Sequence, residues 1–98
     1  MLDIRMYLGT PQTTLLPVYK APSGRNAIVK RFLFTNLLSE GAKVTVTVNT
    51  VDVIKDLELA AKETKIIDFD IPLEGDETLS LRQDKENGIN VTISGVLL

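Results

Sequence analysis

Side chains of alternating polarity recur along this chain with a period of two residues, and this pattern constrains the fold more than any other feature. Residues 42–49 carry alanine and valine at the even positions and lysine, threonine and asparagine at the odd ones. Because successive side chains of a β-strand point to opposite faces, the segment predicts a strand with one core face and one solvated, threonine-rich face. Residues 2–8 and 89–97 alternate in the same way, with leucines 2 and 8 predicted on one face. The chain is therefore predicted to be all-β.

Five further segments, rich in β-branched, leucine or aromatic residues, are predicted to be strands: residues 13–19, 26–38, 51–59, 64–71 and 78–83. Short strands at this spacing, separated by Gly, Pro, Asn and Asp turns, predict an antiparallel β-sandwich of about 7–8 strands, immunoglobulin-like or jelly-roll. Residues 56–65 are the best helical alternative, but a second apolar turn is missing. A length of 98 residues favours a single β-sandwich domain over residues 1–98.

Three positions carry specific expectations. Pro17 cannot donate a ladder hydrogen bond, which predicts an edge or irregular strand there. Asn87 and Gly88 both tolerate positive φ, so together they predict a type I′ hairpin turn. Gly95 interrupts the apolar row of the last strand, which predicts a bulge or a close approach of a neighbouring backbone.

The chain contains no histidine, cysteine or tryptophan, which excludes disulfides, thiolate nucleophiles, Cys/His zinc sites and Ser–His or Cys–His triads. The densest acidic stretch, Asp68–Glu77, raises calcium binding and a glycosidase-like carboxylate pair as alternatives. Its spacing does not fit a twelve-residue calcium loop, and a sugar-binding aromatic platform is missing. A solvated strand edge and turn is the favoured interpretation. We therefore expect no catalytic, cofactor-binding or metal-binding residues, no cofactor, and no enzymatic activity.

The charge is unevenly divided along the chain although its formal sum is only −2. Residues 1–50 hold six Lys and Arg against two acids (+4), and residues 51–98 hold five against eleven (−6). Either copies of the chain dock basic face to acidic face, or a sandwich interleaves the two halves and averages the charge.

The basic residues Lys20, Arg25, Lys30 and Arg31 raise the possibility of a nucleic-acid surface. The aromatic residues are out of register with Arg31, however, so a solvated edge is favoured and no nucleic-acid partner is expected. Charges interrupt every apolar run, and the first residues alternate instead of forming a signal peptide, so neither membrane insertion nor targeting is expected.

Five sequence pieces in a fixed order resemble a known family. They are Val18-Tyr-Lys-Ala-Pro-Ser-Gly-Arg-Asn-Ala-Ile-Val-Lys, Phe34-Thr-Asn36, Lys43-Val-Thr-Val-Thr-Val, Glu74-Gly-Asp-Glu-Thr-Leu79 and Val91-Thr-Ile-Ser-Gly-Val96. Their order is similar to that in the small β-sandwich structural domains of tailed bacteriophages and prophages. The resemblance covers residues 13–96.

The resemblance implies a non-catalytic virion or tail-associated assembly subunit, made in the cytoplasm of a bacterial host and incorporated in the virion. Its expected partners are other virion proteins and a second copy of itself, in a homo-oligomer that is weak in isolation. The family supplies no site residues. Two alternatives stay open: a carbohydrate- or cell-surface-binding β-sandwich module, and a bacterial accessory domain that binds another protein.

Overall fold

The computed structural model describes the whole chain, Met1–Leu98, as eight β-strands without a helix. The all-β prediction is thus confirmed, and the helical alternative for residues 56–65 is wrong because a strand, a turn and a second strand occupy them. The strands are β1 (Leu2–Gly9), β2 (Leu16–Lys20), β3 (Ala27–Asn36), β4 (Ala42–Val48), β5 (Val51–Leu59), β6 (Thr64–Leu73), β7 (Thr78–Gln83) and β8 (Ile89–Leu97).

The strands form two antiparallel sheets of four. Sheet I has the order β1-β8-β3-β6, and sheet II has the order β2-β7-β4-β5. Strand 1 pairs with 8, 2 with 7, 3 with 6 and 4 with 5, as in a long hairpin that has been rolled up. This nesting is the jelly-roll arrangement, so the β-sandwich prediction is confirmed and the jelly-roll topology applies.

One hydrophobic cluster of 17 buried residues fills the space between the two sheets. Phe32 and Phe34 of β3 belong to this cluster and are fully buried, with ring centroids 5.6 Å apart. They occupy alternate positions of one strand, and a pleated strand directs alternate side chains to one face. The period-two pattern of the sequence therefore corresponds to the core face of this strand.

All four edge strands contain an irregularity. Pro17 lies on β2, which is an edge strand with a register shift between Pro17 and Tyr19, as predicted. On β5 the register shifts twice, and Asp56 adopts a positive φ of 48°. The register of β1 shifts next to Met6, and β6 carries Pro72 and an irregularity opposite Lys30. Such bulges and prolines protect sheet edges against pairing with other chains.

Gly95 marks a close approach between neighbouring strands of sheet I. A Cβ atom at this residue would lie close to the carbonyl oxygen of Ile28 and 2.7 Å from the Cε of Met6. The register shifts next to this residue in β3 and one residue further along in β1. The predicted close backbone approach is confirmed, and the bulges belong to the neighbours of β8.

The hairpin predicted at Asn87-Gly88 is wrong. Strands β7 and β8 belong to different sheets, and only Asn87 of the two turn residues has a positive φ. The side chain of Gln83 organises this crossover, because its Oε1 accepts hydrogen bonds from the backbone N–H groups of Gly88 (3.1 Å) and Ile89 (2.8 Å). Its Nε2 donates to the carbonyl oxygen of Pro11. A local turn signal thus serves a connection between the two sheets.

Candidate functional site

The outer face of sheet I carries a row of side chains that is largely apolar and crosses all four strands. Its members are Leu8 of β1, Thr92 of β8, Leu33 of β3 and Ile66 of β6, which are paired neighbours in the sheet. Leu8 is 61% exposed and Ile66 is 58% exposed, although both are large hydrophobic residues. We call this set the apolar row. Thr92 and Leu33, which lie between Leu8 and Ile66, are half-buried. Large apolar side chains left exposed along one row are typical of surfaces that contact another molecule.

Leu8 reaches this face because of the bulge at Met6. The sequence pattern places Leu8 on the same side as Ile4, but the register shift in β1 brings Tyr7 to the core face and turns Leu8 outward. The prediction that Leu2 and Leu8 share the face of the core residues is therefore wrong for Leu8. The adjacent apolar pairs Phe32-Leu33 and Ile66-Ile67 are the sequence signal for strands that are apolar on both faces.

A charged row lies next to the apolar row on the same face. It consists of Arg5, Ser94, Arg31 and Asp68, again one residue from each strand. Arg31 binds the carboxylate of Asp68 through two nitrogens, at 2.5 Å from Nε and 3.0 Å from Nη2. This contact lowers the pKa of Asp68 and raises the pKa of Arg31, mainly through the hydrogen bond between them. Arg5 is exposed and forms no ion pair within the chain.

The residues of the predicted basic patch do not form one cationic surface. The Nζ of Lys30 lies 3.1 Å from Oδ2 of Asp70, and the Nζ of Lys20 lies 3.9 Å from Oδ1 of Asp76. Arg31 is held by Asp68, while Arg25 donates from Nε to the carbonyl oxygen of Leu98. Five of the seven ion pairs join the basic first half of the chain to the acidic second half or the reverse. The sandwich therefore interleaves the two halves, and the averaging interpretation of the charge asymmetry is confirmed for these residues.

The acidic stretch from Asp68 to Glu77 is dispersed along β6 and the turn after it. Asp68 and Asp70 pair with cations of β3, and Asp76 accepts a hydrogen bond from the Ser23 hydroxyl at 2.6 Å. Glu77 accepts one from the backbone N–H of Glu74 at 2.7 Å. No three carboxylates of the stretch converge on one point, so it offers no metal-binding cluster.

On the outer face of sheet II, the threonine side chains of β4 are polar but buried. Thr45 is 1% exposed and Thr47 is 3% exposed, so the prediction of a solvated threonine face on β4 is wrong. The neighbouring edge strand supplies the cover, because Thr47 donates to Asp52 at 2.8 Å and Thr45 donates to Asp56 at 3.3 Å. The positive φ of Asp56 also lets its backbone N–H donate to the Thr45 hydroxyl at 3.1 Å.

The hydrogen bond from Thr47 lowers the pKa of Asp52, and Lys55 and Arg82 contribute to the same direction. A carboxyl with a lowered folded pKa stabilises the fold above its ordinary pKa of 3.8, and this contribution is lost as the pH falls through the folded value. In the variant Thr47→Val we expect the pKa of Asp52 to move back up toward its ordinary value, measured by NMR titration of the carboxyl carbon. An unchanged pKa of Asp52 would show that Lys55 and Arg82 alone set it.

The largest depression, of about 460 Å³, lies at the end of the sandwich around Gly41, Leu59 and Asp84. Two of its lysines contact Glu58. The Nζ of Lys43 lies 3.8 Å from Oε1 of Glu58, and the Nζ of Lys65 donates a hydrogen bond to the carbonyl oxygen of Glu58 at 2.6 Å. The depression brings together exposed ion pairs and contains no hydroxyl nucleophile beside a base.

The structure also has no helix long and apolar enough to cross a membrane.

The outer face of sheet I is therefore the candidate functional site, since it combines exposed apolar side chains with an unpaired cation. Comparison with known proteins gives no match to a family model, to a curated protein or to a solved structure.

Proposed function

We propose that this protein is a non-catalytic assembly subunit of a tailed-bacteriophage or prophage virion, associated with the particle or its tail. The observation that carries the proposal is the apolar row on the outer face of sheet I. A subunit that works by assembly needs a surface that gains free energy when a neighbour covers it. The side chains of Leu8 and Ile66 are mostly exposed to solvent and provide such a surface.

The fold and the chemistry of the chain support the same role. Eight-stranded jelly rolls occur in viral capsid proteins as well as in lectins, so the fold is compatible with assembly by analogy alone. Buried polar side chains are all satisfied within the chain, as expected of a rigid building block. The irregular edge strands disfavour strand addition and leave the sheet faces as the contact surfaces.

The carbohydrate-binding alternative has less support. Sugar-binding surfaces generally present an exposed aromatic ring, and the outer face of sheet I presents leucine and isoleucine instead. Phe69 is the one large aromatic side chain that is substantially exposed, and its ring tilts against Phe32 with centroids 6.1 Å apart. No observation on the surface favours a sugar over a protein partner.

The test is to purify phage particles, induced from the bacterium that encodes the chain, on a density gradient and to probe the fractions for this protein. We expect it to sediment with intact particles or tails and to stay with them at moderate salt. Particles from a strain that carries the double substitution Leu8→Lys and Ile66→Lys should lack the protein. Recovery of the wild-type protein only among free soluble proteins would overturn the proposal.

A further inference from the structure

We propose that two copies of this chain associate face to face through the outer face of sheet I, about a twofold axis parallel to the strands. The proposal deepens the function above, on which it rests, because it names a second copy as the partner of the candidate site. Three properties of the face support it: its accessibility, its apolar row and the arrangement of its charges.

The apolar row can pack on itself in this arrangement. A twofold axis that runs along the strands lays β1 of one copy over β6 of the other and β8 over β3. Leu8 then faces the second copy's Ile66, and Leu33 faces its Thr92, because these residues occupy one level of the sheet. Face-to-face sheets normally pack with their strands about 30° apart, which this axis permits.

The charged row is complementary to itself about the same axis. Arg5 on β1 faces Asp68 on β6 of the second copy, and by symmetry the contact occurs twice. Arg5 has no ion-pair partner in its own chain, whereas Asp68 keeps Arg31 and gains a second cation. Each isologous interface of this kind joins one patch to the same patch on the other copy.

The alternative axis, perpendicular to the strands, lacks this complementarity. When that axis pairs the apolar row with itself, the charged row lies over the polar level formed by Thr35, Asn90 and Thr64. No opposite charge is present at that level. Electrostatic complementarity fixes register more than it adds affinity, so the charges select the axis parallel to the strands.

The size of the face sets the strength of the contact. Four strands about 4.8 Å apart and about seven residues of 3.3 Å rise give roughly 450 Å² per copy, or roughly 900 Å² in total. Specific stable interfaces generally bury about 1,200–2,000 Å², so this contact belongs to the weak class. A weak dimer that a larger assembly reinforces is the expected form.

Sedimentation velocity over a range of protein concentrations tests the face. We expect wild-type protein to shift reversibly from monomer to dimer as the concentration rises. Ile66→Lys and Leu8→Lys should each abolish the shift. Circular dichroism and thermal unfolding should show that both variants are folded, because both side chains are mostly exposed to solvent. The control Val51→Lys places the same charge at a residue that is 62% exposed and lies on sheet II, and it should dimerise like the wild type.

A charge exchange tests the axis. Arg5→Glu alone places two carboxylates opposite each other, and Asp68→Lys alone places two cations opposite each other, so each variant should remain monomeric at concentrations where the wild type dimerises. Their equimolar mixture should dimerise again, because Glu at position 5 of one variant meets Lys at position 68 of the other, and the second contact keeps the native Arg5 and Asp68. Thermal unfolding of each variant checks that Asp68→Lys, which loses the Arg31 pair, still folds.

The outcomes separate this inference from the virion proposal. Wild-type protein that stays monomeric up to its solubility limit, or a mixture that fails to recover, overturns the twofold contact whatever the particle fractions contain. Protein that dimerises as described but never sediments with particles overturns the virion role and leaves the contact in place. A dimer that withstands both lysine substitutions uses another surface, and the inference is then wrong.

Discussion

Replacement of Gly95 by alanine is expected to lower the free energy of unfolding by about 3 kcal/mol, at the upper end of the usual cost of overpacking. The added Cβ would overlap the carbonyl oxygen of Ile28 and would lie 2.7 Å from the Cε of Met6. Met6 can move its flexible end, but the carbonyl belongs to the backbone of the adjacent strand β3. Strands β8 and β3 must therefore separate locally, which loosens the centre of sheet I.

Chemical denaturation of the wild type and the variant measures this effect, and a domain of this size should lose roughly 12–24 °C in Tm for such a change. Gly41→Ala is the matched control, because a Cβ there would make only an ordinary contact of 3.6 Å with the carbonyl oxygen of Leu59. We expect the control to stay within about 0.5 kcal/mol of the wild type. A Gly95→Ala variant as stable as this control would contradict the close approach.

The strand content of the fold could be predicted from the sequence because it depends on local periodicity. Three of the predicted segments, residues 51–59, 78–83 and 89–97, coincide with β5, β7 and β8, and the others differ at their ends by a few residues. The largest error is at β2, which begins at Leu16 instead of residue 13. Residues 13–15 do not alternate clearly between apolar and polar side chains, so the period-two pattern could not locate the start of β2.

Local periodicity does not predict which strands pair with one another. Asn87-Gly88 has the composition of a hairpin, yet the flanking strands belong to different sheets. The conformation of the connection depends instead on the side chain of Gln83, which accepts hydrogen bonds from Gly88 and Ile89 and donates one to Pro11, a residue distant in the sequence. A local signal predicts a reversal of the chain, but it does not predict whether the next strand stays in the same sheet.

The candidate site was missed for a related reason. Strict alternation assigns Leu8 to the core side, and only the bulge at Met6, which is a property of sheet pairing, reverses it. Leu33 stands between Phe32 and Phe34, so its outward orientation follows from the alternation once those two are in the core. The burial of Thr45 under Asp56 is equally non-local, because it needs the positive φ of an irregular edge strand.

Replacement of Gln83 by leucine is expected to lower the free energy of unfolding by about 3–5 kcal/mol, a larger loss than that expected for Gly95→Ala. The side chain is 3% exposed and serves three backbone groups, the N–H groups of Gly88 and Ile89 and the carbonyl oxygen of Pro11. Leucine has similar length but no polar atom, so all three groups would lose their partner inside the protein. Each buried polar group left unpaired costs about 1–3 kcal/mol.

The loss should have a structural location as well as a magnitude. Gln83 ties the β1–β2 connection, through Pro11, to the β7–β8 connection, so hydrogen exchange should speed up most at Gly88 and Ile89. Gln12→Leu is the matched control, since it makes the same chemical change at an exposed residue of the neighbouring loop and should cost less than about 0.5 kcal/mol. Equal stability of the two variants, or protection at Gly88 and Ile89 that survives Gln83→Leu, would mean that the backbone alone maintains the crossover between the sheets.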